Sequence, residues 1–222
     1  MGRLIVIDGL DGSGKATQTA NLLQYFNERG ETAKAITFPN YQSRSSELVK
    51  MYLQGEISPN AYEVGAYAAA SFYACDRYIS YITEWKDDYQ KNTVVLADRY
   101  VSSNAIHQMV KTPKAEWDDF LDWIFDYEYV RLGLPKEDKL IYLDMDPNVS
   151  HKLISRRYLG NEAKRDLHEK DREYLLRCRE AAYYAAEKMR WDIIRCDNGQ
   201  APYTISKIFE KIKEKTEVFL SI

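Results

Sequence analysis

The segment Gly9-Leu10-Asp11-Gly12-Ser13-Gly14-Lys15 constrains this chain more than any other feature of its sequence. It fits the pattern GxxxxGK, follows directly on the apolar run Leu4 to Asp8, and opens a stretch of helical spacing at about Lys15. Strand, glycine turn and helix in that order make a cradle for phosphate. The glycines let successive backbone N–H groups turn inward, the helix N-terminus adds a positive dipole, and the lysine reaches the β- and γ-oxygens of a nucleotide. Gly9 through Lys15, with Ala16 and Thr17 behind them, therefore form the expected nucleotide-phosphate site. One position departs from the pattern. Ala16 stands where Ser or Thr usually holds Mg²⁺, and Thr17 comes one place later.

The rest of the chain repeats the same alternation. Short apolar, largely β-branched runs at Arg3 to Asp8, Ala33 to Phe38, Thr93 to Ala97, Lys139 to Leu143 and Asp192 to Cys196 are separated by segments with apolar residues at spacings of three and four, such as Leu22, Leu23 and Phe26, or Val49, Tyr52 and Leu53. This order predicts an α/β fold in one domain spanning residues 1–222: a five-stranded parallel sheet with helices on both faces. The first and third runs lack polar alternation, as strands buried on both faces should. Between the second and third runs the chain is too long for one crossover helix. Ser43 to Gln54 and a long helix from about Ala61 to Tyr89 are expected there, with a break at Gly55 to Asn60 and Pro59 at the helix start. Residues 155–173 are dense in charge and interrupted by Gly160-Asn161, the composition of a flap.

Composition excludes several classes. With 45% hydrophobic and 29% charged residues the chain can bury a core. A net charge of −3 gives nothing to attract a long polyanion, so no nucleic-acid partner is expected and any anion must be held by a local cluster. The most apolar stretch, Val64 to Cys75, falls short of the roughly 20 residues that span a bilayer, so no membrane association is expected. Cys75, Cys178 and Cys196 stand far apart with no CxxC pair, which fits a reducing, cytoplasmic compartment.

A second patch of chemistry lies at Thr93 to Asp98, a short apolar strand ending in an acid, the kind of strand that carries a carboxylate to a Mg²⁺ region. Arg99 follows at once and puts a guanidinium beside the site for bidentate phosphate capture. With these residues the chain resembles the thymidylate kinase family of P-loop nucleoside monophosphate kinases along nearly its whole length. The resemblance is carried by GLDGSGKATQ, Phe38-Pro39, Tyr73-Ala74-Cys75-Asp76-Arg77, Asp98-Arg99-Tyr100-Val101-Ser102-Ser103-Asn104-Ala105, Gly133-Leu134-Pro135 and Leu143-Asp144-Met145-Asp146-Pro147, in that order, followed by an arginine-bearing flap.

The resemblance implies a reaction and a set of roles. The reaction is transfer of the γ-phosphoryl of ATP to the 5′-phosphate of dTMP with Mg²⁺, and the acceptor, already an anionic oxygen, requires no general base. Catalysis is then positioning and charge neutralisation by Lys15, Arg99, the flap arginines and Mg²⁺, with Asp98 as a further catalytic residue beside them. Asp11 resembles the acid that accepts a hydrogen bond from the 3′-hydroxyl and helps order the metal, with Asp98 and Thr17 as the other metal candidates. Tyr73 matches the ring that stacks on thymine, Arg77 the residue that bonds a thymine carbonyl, and Asn104 a reader of the pyrimidine edge. Tyr41 and Arg99 match residues that hold the dTMP phosphate, and Phe38 and Pro39 shape the sugar pocket. His107 stands where some members carry a tyrosine that crowds the 2′ carbon. Some members also have an arginine beside the loop acid; Gly12 is there instead, so the missing charge is expected from Arg156, Arg157, Lys164 or Arg165. Arg156 or Arg157 is also suited to stacking on adenine, and Glu169 resembles an acid that supports the metal. The family usually pairs as a homodimer through helices that include Ala61 to Tyr89.

Three rivals stand beside this reading. A GTPase-type switch needs a DxxG outside the loop and an NKxD guanine motif, and the sequence has neither. A kinase for another nucleoside monophosphate or a deoxynucleoside, and an NTP-binding protein without turnover, would both use the same loop.

Overall fold

The computed structural model describes residues 2–60, 62–157 and 172–220. Five parallel strands, β1 (Arg3–Gly9), β2 (Ala33–Thr37), β3 (Val94–Asp98), β4 (Lys139–Asp144) and β5 (Asp192–Arg195), form one sheet in the order β2-β3-β1-β4-β5. Around them run α1 (Lys15–Glu28), α2 (Glu47–Leu53), α3 (Ala66–Ser80), α4 (Lys86–Gln90), α5 (Ser102–His107), α6 (Trp117–Phe125), α7 (Pro147–Arg157), α8 (Arg172–Met189) and α9 (Ile205–Leu220). The sheet is the α/β arrangement expected from the sequence.

Alternation along β1 explains why its sequence reads as continuously apolar. Leu4 and Val6 pack on one face with Val95, Ala97, Leu140 and Tyr142 beneath residues of α3, α5, α6 and α8. Ile5 and Ile7 pack on the other with Leu96, Ile141 and Leu143 beneath α1 and α9. Both faces are covered, so a polar residue in the strand interior would have no partner. The register pairs Ile7 with Asp98 of β3 and Ile7 with Ile141 of β4. The C-terminal ends of β1, β3 and β4 thereby lie side by side, the edge at which open α/β sheets take ligands.

The insertion differs from expectation at its helix start. Pro59 does not open a helix; α3 begins at Ala66. Side chains compete for the backbone in between. Ser58 Oγ donates to Glu63 and accepts from the N–H of Asn60, and Asn60 Oδ1 accepts from the N–H of Tyr62. Such local bonds offer the chain an alternative to the helical ladder. From Ala66 the helix runs on to Gln90 through a π-helical turn at Tyr81–Trp85. Among the described residues no helix is long and apolar enough to cross a membrane.

Candidate active site

The glycine loop is shaped by close approach and by backbone sign. A Cβ on Gly9 would fall 2.7 Å from the carbonyl oxygen of Leu143, so β1 and β4 can come together there only at glycine. Gly14, at φ +91°, turns the chain into α1 in the left-handed region. Lys15 is buried and donates to the carbonyl of Leu10 at 3.0 Å, with its ammonium 4.0 Å from Asp11. Burial and the neighbouring Arg99 guanidinium both push its pKa down, against the pull of Asp11, Asp98 and Asp8.

Arg99 adopts φ +68°, a left-handed conformation that costs an ordinary residue of order 1–3 kcal/mol. That backbone lets its N–H bond the carbonyl of Ile7 at 3.0 Å while the side chain turns into the site. Its Nη2 donates to Asp11 at 2.5 Å, and Nη1 lies 3.1 Å from His107 Nε2 and 3.7 Å from the buried Asp8. Guanidinium only donates, so His107 Nε2 is the acceptor and its proton sits on Nδ1. Burial raises the pKa of Asp11, but Arg99 and Lys15 overcome it and hold the carboxyl below the usual carboxylate range. Asp98 goes the other way: burial raises it, with Asp8 and Asp11 adding to the effect and Lys15 and Arg99 opposing.

Beside this cluster the same cleft, of about 420 Å³, reaches the α3 face. Its lining joins Asp11, Gly12, Gly14, Lys15, Ala16 and Thr17 from the loop to Asp98, Arg99, Asn104 and His107 from β3 and α5. Phe38, Pro39 and Tyr41 from the segment after β2 and Tyr73 and Arg77 from α3 line it too. The Phe38-Pro39 bond is cis, and Asp76 of α3 ties the turn after it through the N–H of Asn40 at 2.9 Å and Ser45 Oγ at 2.5 Å. Gly9, Leu10 and Ser13 support the loop from outside the lining, and Leu10 and Ser13 are buried. Arg156 and Arg157 end α7. Lys164, Arg165 and Glu169, and with them most of the expected flap, lie outside the described residues.

Several residues of the site escaped the sequence reading. Asp8, read only as a strand end, is buried and accepts from Ser102 Oγ at 2.6 Å, Ser103 Oγ at 2.8 Å and the N–H of Gly9 at 2.7 Å, which fixes the loop to α5. Gln108 lines the cleft with a buried Oε1 that has no hydrogen-bond partner among the described residues. Glu128, fully buried, receives Arg77 Nε and Nη2, each at 2.6 Å.

A parallel sheet with a glycine cradle at the end of its central strand, a lysine within it and an arginine–aspartate pair beside it defines a P-loop phosphotransferase of the nucleotide-kinase class. The family model described as thymidylate kinase matches residues 7–201. Thymidylate kinase of Mycobacterium tuberculosis is 33% identical over 188 residues, 82% of this chain and 84% of that protein. Thymidylate kinase of Danio rerio is 24% identical over 227 residues, 100% of this chain and 92% of that one. The structure of a thymidylate kinase from Candida albicans superposes with a TM-score of 0.73 at 20% identity, covering 98% of this chain and 92% of that one, a likeness of fold. The chain belongs to the thymidylate kinase family, ATP-dependent kinases of dTMP.

Proposed function

We propose that this cleft performs the family reaction, transfer of the γ-phosphoryl of ATP to the 5′-phosphate of dTMP, with the residues expected from the sequence in the roles given there. The observation that carries the reading is the continuity of one cleft from the glycine loop to Tyr73, Arg77 and Asn104. Lys15 and Arg99 supply positive charge where the two phosphates meet; Asp11 holds Arg99 until a phosphate takes its place. Tyr73 offers a half-buried face for the base, with Arg77 and Asn104 at its edge. Tyr41, exposed on the cleft, is suited to the acceptor phosphate, Phe38 and Pro39 to the sugar wall, and His107 to the 2′ side. Arg156, Arg157 and Arg165 supply over ATP the charge that Gly12 lacks.

The donor set fits Mg²⁺ in its usual mode, in which one or two carboxylates and several waters share the ion with substrate phosphates. Asp98 lines the cleft and its carboxylate makes no hydrogen bond among the described residues, whereas Asp11 is engaged by Arg99. Asp98 is thus the better metal carboxylate of the two, with the exposed Thr17 hydroxyl nearby on the lining. When bound, the ion neutralises phosphate charge that the loop and arginines share.

Homodimerisation is part of the same reading. Tyr67, Tyr78, Ile79 and Ile82, on α3 and the π-helical turn after it, are each about two-fifths exposed. Exposed apolar surface of this kind suits a second copy of the chain.

A coupled ADP-release assay over a panel of nucleosides and monophosphates, with GTP hydrolysis alongside, tests the activity. Turnover highest on dTMP supports it; turnover on GTP alone, or preference for an unphosphorylated nucleoside, overturns it. Sedimentation of the wild type and Ile79→Lys tests the dimer, which the variant should dissociate.

A further inference from the structure

Glu128 lies outside the cleft lining, in the π-helical turn Asp126–Arg131 that follows α6, yet it touches both residues at the edge of the base pocket. Its Oε2 and Oε1 accept Arg77 Nε and Nη2, and Oε1 also accepts Asn104 Nδ2 at 2.9 Å. The second hydrogen of that amide goes to the carbonyl of Ala70 at 3.2 Å. Both acceptors that Asn104 meets are oxygens without a proton to give, so the amide can point only one way. Its Oδ1 is left as the group that it offers to the cleft. Arg77 likewise has two nitrogens committed to Glu128 and keeps Nη1, a donor.

We propose that Glu128 sets the hydrogen-bond polarity of the base pocket: by fixing Asn104 as an acceptor and Arg77 as a donor, it selects a pyrimidine whose edge reads donor then acceptor. A thymine or uracil edge is N3–H followed by the O4 carbonyl. A cytosine edge is a bare N3 followed by an amino group. Against this floor cytosine would face acceptor with acceptor and donor with donor, and a buried site built to bond one pattern rejects the reverse strongly. Glu128 does this as a positioning residue, without contact to the substrate. The inference rests on the assignment of Arg77 and Asn104 to the base.

Glu128→Gln separates polarity from shape. Glutamine has one oxygen for three donors: its N–H₂ meets Arg77 Nε if it takes the Oε2 place, or Arg77 Nη2 and Asn104 Nδ2 if it takes the Oε1 place. The clash is relieved when Arg77 or the Asn104 amide turns, and the donor and acceptor that they offer the cleft lose their fixed order. The experiment measures kcat/KM of wild type and variant with dTMP, dUMP and dCMP. The expected result is a fall of at least about tenfold for both dTMP and dUMP, mainly through KM, with dCMP unchanged or improved, so that the dTMP/dCMP ratio narrows by the same factor. Equal losses on all three substrates would reveal a purely structural carboxylate and overturn the proposal. Loss on dTMP with dUMP spared would also overturn it, since those two share the edge and differ only at the 5-methyl. Should Glu128→Gln fail to fold, Glu128→Asp keeps the charge but draws it back from Asn104. A ratio narrowed at least threefold supports the proposal and an unchanged one contradicts it. The underlying assignment fails in a different way, through a wild type that shows no preference for dTMP and dUMP over dCMP.

Discussion

Arg99–Asp11 and Arg77–Glu128 are both arginine–carboxylate pairs of one cleft, but their side chains are 16% and 28% exposed in the first and 1% and 0% in the second. The Arg99 pair is open and over-supplied: the guanidinium also reaches His107, Ser103 and the carbonyl of Gly9, and Asp8 stands 3.7 Å away. An arriving phosphate can replace Asp11 without leaving a bare charge in the interior. The Arg77 pair is sealed, with two parallel bonds of 2.6 Å and a third donor from Asn104. Burial works against the Arg77 charge and Glu128 more than offsets it, so its pKa is raised. One pair is arranged to exchange partners, the other to stay as it is.

The largest effect expected at the exchangeable part of the cleft is on Lys15. Lys15→Met should fold and lose about 10²- to 10³-fold in kcat, the usual consequence of removing one preorganised donor. Turnover within tenfold of wild type would break the loop assignment. The two arginines should differ most clearly in stability. Arg77→Met leaves Glu128 buried without a counter-charge and should destabilise by about 3–5 kcal/mol. Arg99→Met leaves Asp11 partly exposed and Asp8 still held by Ser102, Ser103 and the N–H of Gly9, so it should cost less than Arg77→Met. Urea unfolding of both variants checks the contrast, and equal losses would erase it.

A third cation sharpens the comparison because no carboxylate pairs with it among the described residues. Lys111 donates to the Tyr52 hydroxyl and to the Val64 carbonyl at 3.1 Å, over the Tyr52 ring. Burial pushes its pKa down to about 7, with the Cys178 thiol opposing. The folded protein therefore releases this proton above about pH 7, while the unfolded chain holds it to about pH 10. Over that window the unfolded state binds more protons, so stability rises with pH, by at most about 1.4 kcal/mol per unit. Unfolding of wild type and Lys111→Met from pH 6 to 9 should show the rise only in wild type. Parallel curves would contradict it.

The smallest expected effect concerns the sugar. His107 is 9% exposed, accepts from Arg99 and stacks on Tyr174 with centroids 6.5 Å apart. Imidazole fills less space than phenol, so discrimination between dTMP and ribothymidine monophosphate should stay below about 10²-fold and improve in His107→Tyr. A wild-type ratio above about 10⁴, or one unmoved in the variant, would exclude His107 from the sugar pocket.

These residues also mark what the sequence could reveal. The loop and the Asp98-Arg99 pair were legible because each is contiguous, and the strands because burial on both faces leaves a run without polar interruption. Strand ends moved by a residue where the ladder continues past the apolar run, as at Gly9 and Asp144. The start of α3 was misplaced because Ser58 and Asn60 bond the intervening backbone, a contest that helix-start signals do not register. Glu128 was invisible for a different reason. Its partners lie 51 and 24 positions away, and on the local pattern it is one more acid in a run of charged and aromatic residues.

A crystal structure of the protein with dTMP bound tests the contrast between the two pairs most directly. The expected result is Arg99 Nη2 moved from Asp11 to the substrate phosphate, with Arg77 still holding both bonds to Glu128 and Asn104 Oδ1 facing N3 of the base. Arg99 still paired with Asp11 and away from the phosphate, or Arg77 swung off Glu128 to reach the base, would contradict it.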